Sequence, residues 1–200
     1  VLRLLPKDKD DASLGKLGLD HQHLNLLKNW SRLSSGIVLV TGPTGSGKST
    51  LAKLLLCFEK PSSGSILISG YDIDKANVKS LRSGMAAVMQ GSTATAGSIY
   101  DFITSGIEVN QELFSQVLKS LNLEELIINL PMGLHTVISE NGSNFSLAEQ
   151  SKFLLARALV TKPKILIVDE AINKLDKNDI ELLFKYLKKN SITLISISQD

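Results

Sequence analysis

Apolar residues along this chain fall into two spacings that alternate. Short unbroken runs, Ile37-Val38-Leu39-Val40, Ser65-Ile66-Leu67-Ile68, residues 85–89, Ile165-Leu166-Ile167-Val168 and residues 192–197, read as strands. Ile37 to Val40 and Ile165 to Val168 are apolar at every position, so both are expected to be buried, the latter on both faces of a parallel sheet. Between the runs the spacing turns helical. Leu51-Ala52-Lys53-Leu54-Leu55-Leu56 predicts a helix, and residues 98–130 read as helical with Leu113, Val117, Leu118 and Leu121 on one stripe. A short helix is expected near 77–82, another over 146–161 stopped by Pro163, and another carrying Ile180, Leu183, Phe184 and Leu187. Upstream, residues 7–20 are polar and read as a loop or linker, after which Asp20 can cap a helix bearing Leu26, Leu27, Trp30 and Leu33. Pro61-Ser62-Ser63-Gly64 and Ser69-Gly70 mark turns. Strands alternating with helices predict an α/β fold with a largely parallel sheet flanked by helices.

Composition narrows the picture without changing it. Two hundred residues, 43% hydrophobic and 21% charged, suit one domain with a real core. A net charge of +2 with no clustered basic patch gives no reason to expect nucleic acid as a partner. No apolar run is long enough to span a bilayer, and Val1-Leu2-Arg3-Leu4-Leu5-Pro6-Lys7 is too short and too soon charged for a secretory signal. Cys57 is the single cysteine, so no disulfide forms within the chain; beside Phe58 it reads as core packing. The chain starts without Met and stops at Gln199-Asp200 directly after a strand-like run, as a piece of a longer polypeptide would.

The chemistry gathers at Gly42-Pro43-Thr44-Gly45-Ser46-Gly47-Lys48-Ser49-Thr50, which fits G-x-x-x-x-G-K-[ST] between a strand and a helix. Glycines let successive backbone N–H groups converge on phosphate oxygens, and the positive end of the helix dipole faces the same point. Lys48 adds a charge toward the β and γ phosphates, and the Ser49 hydroxyl suits Mg²⁺. A nucleoside triphosphate is the expected ligand. The strand Ile165-Leu166-Ile167-Val168 ends in Asp169-Glu170, and ligands of parallel sheets bind beyond the carboxyl ends of strands. Asp169 is positioned to hold the metal, directly or through water, and Glu170 to orient and deprotonate an attacking water. Gln90 also follows a strand; it binds Mg²⁺ or that water, or is an ordinary surface amide. His21 and His135 have no metal-ligand partners in sequence and read as surface or locally hydrogen-bonded residues.

Asp169-Glu170-Ala171 followed by Leu175-Asp176 resembles the second nucleotide motif and the following loop of ABC transporter ATPases. Residues 130–137, Glu140-Asn141-Gly142-Ser143-Asn144-Phe145-Ser146 and Ala156-Arg157-Ala158-Leu159 resemble the stretch around their signature motif. Residues 61–70, with Asp72-Ile73, resemble their segment after the phosphate loop, and Gln90 falls where their Q-loop glutamine lies, with Gly97-Ser98-Ile99 in step. The resemblance covers about 45–199 and is nearest to the exporter branch. It implies a P-loop NTPase core with an ABC-type helical subdomain at about 92–160. It also implies ATP as the nucleotide, a homodimer or a membrane transport domain as partner, and a cytoplasmic place at the membrane's inner face. Ser146 would be presented to a second copy's γ-phosphate. The family's glycines there are replaced by Leu147 and Ala148, Glu149 adds negative charge, and the switch histidine falls on Gln199. These departures predict slow hydrolysis or, alternatively, a non-catalytic nucleotide-binding scaffold.

Upstream, Leu4-Leu5-Pro6-Lys7, Leu17-Gly18-Leu19 and residues 35–50 resemble the secretion and type IV pilus assembly ATPases. No aromatic matches the adenine-stacking position, leaving His23 or Trp30 as stand-ins, although a histidine on a helix stripe, as His23 is, is more often structural. The chain reads as two P-loop families joined at their shared loop, an engineered chimera with natural recombination or strong divergence as the alternatives, with 1–34 as linker and helix and 35–200 as the core. A hexameric secretion motor ranks last among the functions, since nothing downstream of Ser49 supports it.

Overall fold

The structure is a computed structural model that describes residues 2–5, 36–43, 45–61, 65–68 and 71–198. The predicted linker over 7–20, the helix carrying Leu26 and Trp30, the two turns at 62–64 and 69–70, and the site candidates Thr44 and Gln199 lie outside the described residues. Four parallel strands form the centre: β2 (Ile37–Thr41), β9 (Thr193–Ser198), β8 (Ile165–Asp169) and β5 (Met85–Val88), in that spatial order. A second, antiparallel sheet contains β1 (Leu2–Leu5), β3 (Ser65–Ile68) and β4 (Tyr71–Asp72), in the order β1-β3-β4, and β6 (Gly97–Ser98) pairs antiparallel with β7 (Val137–Ile138) apart from both. The strand at Leu2–Leu5 was not expected from a segment that reads as linker and helix; its pairing with β3 is long-range and leaves no local sequence signal.

The unbroken apolar run of β8 has a direct cause. Leu166 and Val168 point into one buried cluster, with Phe102, Val117, Phe153, Leu183 and Leu194. Ile167 points into another, with Ala52, Leu55, Ile66, Ile195 and Ile197. One layer is helical, built from α3 (Ile99–Thr104), α4 (Gln111–Ser120), α5 (Glu124–Ile128), α6 (Leu147–Leu159) and α7 (Lys177–Lys189). The other is α1 (Lys48–Leu55) with the antiparallel sheet. A strand covered on both faces has no position to spare for a polar residue.

β2 corrects one expectation. The strand forms as predicted, but Ile37 is 52% exposed and Leu39 63%. Among the described residues β2 pairs only with β9, at the rim of a sheet whose covering layers centre on β8. Residues 98–130 form three helices, broken where Ser105 (φ 52°), Gly106 (φ 75°) and Asn122 (φ 52°) take left-handed backbone. The Asn110 side chain starts α4 by accepting from the amides of Glu112 and Leu113. The short helix near 77–82 is α2 (Val78–Ser83), capped by Asn77. Cys57 lies just past the end of α1, half-buried against the second cluster, and burial pushes its thiol up, opposed in part by the nearby Arg82.

Candidate nucleotide site

The glycine loop begins where β2 ends. Gly47 takes φ 88° as the residue before α1 and makes no side-chain capping bond. Only glycine adopts that conformation without strain, and it leaves the first amides of α1 without intrahelical acceptors. At Gly42 an added Cβ would meet the Ser46 Oγ at 3.0 Å, so the curl of the loop leaves no room for a side chain. Lys48 lies against this curl. Its Nζ donates to the carbonyl oxygen of Gly42, to that of Pro43 at 2.9 Å and to Ser46 Oγ at 3.4 Å.

One residue further, Ser49 Oγ donates to Asp169 Oδ2 at 2.9 Å, across 120 positions of sequence. Asp169 is the last residue of β8 and is 3% exposed. A buried carboxylate needs partners to stay in place. Next, Glu170 leaves the strand with φ 64°, its amide donating to the Ile197 carbonyl at 3.0 Å. Left-handed backbone at a non-glycine residue is uncommon, and here it occurs at the turn that carries the site. Strand register then sets Gln90. Val88 pairs with Val168, so two residues on, Gln90 and Glu170 leave adjacent strands side by side. Gln90 Nε2 donates to Glu170 Oε2 at 2.8 Å. A small cavity open to solvent lies here, lined by Gln90, Ser92, Ser151, Asp169, Glu170 and Lys174 among others.

Ser49, Gln90, Asp169 and Glu170 are thus brought together with Lys48 and the glycine loop. Ser146 is placed differently: it caps α6. Its Oγ donates to Glu149 Oε2 at 2.8 Å, its amide donates to the same oxygen at 2.7 Å, and the Glu149 amide donates back to Ser146 Oγ at 3.2 Å. This is a capping box, and its Ser-x-x-Glu spacing was legible in the sequence, although Glu149 was read there only as a repelling charge. Leu147, beside it, is 65% exposed. Lys174 has no counterpart among the sequence candidates. It sits between the matched second nucleotide motif, Asp169 to Ala171, and the matched loop at Leu175-Asp176, which was the one available hint.

The donor set suits a hard cation. Among the described residues no group of three or more His, Cys, Asp or Glu side chains could hold a metal by itself. Mg²⁺ does not need one: it binds through one or two carboxylate or hydroxyl ligands, with water and phosphate filling the rest. A serine hydroxyl 2.9 Å from a buried carboxylate oxygen, with an amide beside them, fits that requirement.

A strand, a glycine loop and a helix start, facing the acidic end of a parallel strand, define a P-loop nucleoside-triphosphate site. The chain belongs to the ABC transporter family, which it matches over residues 13–173, and its fold is that family's ATPase fold. Domains of this family bind and hydrolyse ATP, and this one is of the exporter type. It is 38% identical over 167 residues to the "ATP-dependent permease MDL2, mitochondrial" of Saccharomyces cerevisiae, covering 80% of this chain and 22% of that protein. It is 34% identical over 162 residues to the "Colicin V secretion/processing ATP-binding protein CvaB" of Escherichia coli, covering 80% and 23%. Among solved structures, a bacterial Atm1-family ABC exporter with ATP bound superposes with a TM-score of 0.76 at 32% identity, covering 84% of this chain and 30% of that one. The chain therefore spans less than a quarter of the length of these curated relatives. The family match begins at residue 13, upstream of the loop proposed as a seam, so the secretion-ATPase resemblance and the chimera gain no support.

Proposed function

We propose that this chain binds ATP with Mg²⁺ between the glycine loop and the Asp169–Glu170 turn and hydrolyses it slowly, as the nucleotide-binding part of an exporter. The observation that carries the reading is the Ser49–Asp169 bond, which joins the phosphate loop to the acidic strand end. Amides of Gly45, Ser46, Gly47 and the first turn of α1, with Thr44 and Thr50 flanking, cradle the phosphates. Pro43 shapes the loop and Lys48 supplies the charge. Ser49, Asp169 and Gln90 would hold the metal, which when bound offsets charge on the phosphate oxygens. Glu170, oriented by Gln90, takes a proton from the attacking water as the water oxygen bonds to the terminal phosphorus and the bond from that phosphorus to the bridging oxygen breaks, leaving ADP and orthophosphate.

The reading extends to a dimer, in which Ser146 faces the second copy's nucleotide, and to a transmembrane partner at the cytoplasmic face. Its support is the exporter kinship and the much greater length of the relatives. No helix among the described residues is long and apolar enough to cross a membrane. Turnover is slow because Glu149 already occupies the amide and hydroxyl of Ser146, and because Gln199 cannot carry a proton charge. Phosphate release with ATP and with GTP, wild type beside Lys48→Ala and Glu170→Gln, tests the reading. Release from wild type that both substitutions reduce to background supports it. Nucleotide-induced thermal stabilisation without any release would single out a non-catalytic scaffold instead.

A further inference from the structure

The 3₁₀ turn Ala171–Lys174 carries the chain from Glu170 toward α7 and is held at several points. The Glu170 amide donates to the Ile197 carbonyl at 3.0 Å, the Leu175 amide to that of Ile172 at 3.0 Å, and Asn173 Nδ2 to Ser198 Oγ at 3.1 Å. These bonds set where Lys174 enters the cavity beside Glu170, and Lys174 is the one cation in its lining. The two carboxylates there are engaged by other donors, Asp169 by Ser49 and Glu170 by Gln90. Ion pairs among the described residues join Lys53 to Glu59 and Lys152 to Asp179; Lys174 is in neither. Ser92 adds a hydroxyl to the same lining, on the turn closed by its own amide bonding the Met89 carbonyl. Within that lining the Lys174 ammonium, which neither acid takes up, is the charged donor able to bind an anion.

We infer that Lys174 contacts phosphate: its ammonium takes the terminal phosphoryl group at the cavity beside Glu170, still attached to the nucleotide or freed as orthophosphate. The origin of that phosphate rests on the nucleotide reading above; the anion site itself rests on the lining. The alternative role, a solvated lysine on an exposed turn, predicts no effect on any phosphate ligand.

Calorimetric titrations of ADP, ATP and orthophosphate, each with Mg²⁺, on wild type, Lys174→Ala and Lys174→Arg separate these roles. A charge-assisted hydrogen bond predicts about tenfold weaker binding in Lys174→Ala, with ADP unchanged and most of the loss recovered by Lys174→Arg. A loss confined to orthophosphate assigns the contact to the freed group, and a loss for ATP assigns it to the attached one. Unchanged ATP and orthophosphate affinities in Lys174→Ala overturn the inference, as does a parallel loss for ADP. Orthophosphate titrated alone still reports on Lys174 if the chain binds no nucleotide, so a failure of the ATPase reading is told apart from a failure of this one.

Discussion

Two helices of this chain begin next to loops that match nucleotide motifs, and they begin in opposite ways. α1 starts at Gly47 with no side-chain cap and no acid in its first turn. α6 starts at Ser146 with a full capping box, its amide and hydroxyl both bonded to Glu149. Every helix start presents unpaired amides and a positive dipole end. α1 leaves them for a ligand and surrounds them with Lys48, Ser49 and Asp169. α6 ties up two amides at its start: that of Ser146 donates to the Glu149 carboxylate, and that of Glu149 donates to the Ser146 hydroxyl. A residue of the right type at a motif position therefore does not make that position receptive; what its neighbours already bond decides it.

The predictions push on this contrast. The largest effects belong to the α1 side. Lys48→Ala should abolish phosphate release, and Glu170→Gln should slow it by roughly 10²–10⁴-fold while leaving ATP affinity near wild type, as the loss of a general base does; steady-state kinetics and nucleotide titration check both. Next comes the seat of α6. Lys152 on this helix pairs with Asp179 of α7 at 2.7 Å, with Asp179 only 2% exposed and its Oδ1 lacking a hydrogen-bond partner. Lys152→Met leaves that carboxylate buried without its cation, at a cost of about 3–5 kcal/mol, and Lys152→Met with Asp179→Leu should recover most of it in thermal melts. Smaller still is the cap. Glu149→Ala should cost about 1 kcal/mol, lowering Tm by roughly 2–4 °C. Glu149→Gln replaces the charge-assisted bonds to Ser146 with weaker neutral ones and removes the negative charge, so the Ser146 amide and hydroxyl are given up more readily and turnover should rise by roughly two- to fivefold at high protein concentration.

Much of the site was legible before any fold was known. The glycine loop is local, and the rule that ligands meet parallel strands at their carboxyl ends set Asp169 opposite Ser49. Gln90 was left open because a residue after a strand has no fixed neighbour until register is known; the Val88–Val168 pairing supplies it. The apolar run Ile37 to Leu39 reports a preference for burial, while its exposure follows from the place of β2 at the rim of the sheet among the described residues, which no local pattern carries. The breaks at Ser105 and Asn122 were missed because both take left-handed backbone without being glycine. Lys174 was missed for a different reason: it is an ordinary lysine until a cavity forms beside it.

The contrast between the two helix starts is tested most directly by phosphate release per molecule across a range of protein concentrations, in wild type and Glu149→Gln, with Lys48→Ala as background. A low wild-type rate that does not change with concentration, beside a Glu149→Gln rate that rises with it, is the predicted result. A wild-type rate that climbs with concentration as steeply as that of Glu149→Gln would contradict the account, because Glu149 would then not be closing the start of α6 to a second copy's phosphate.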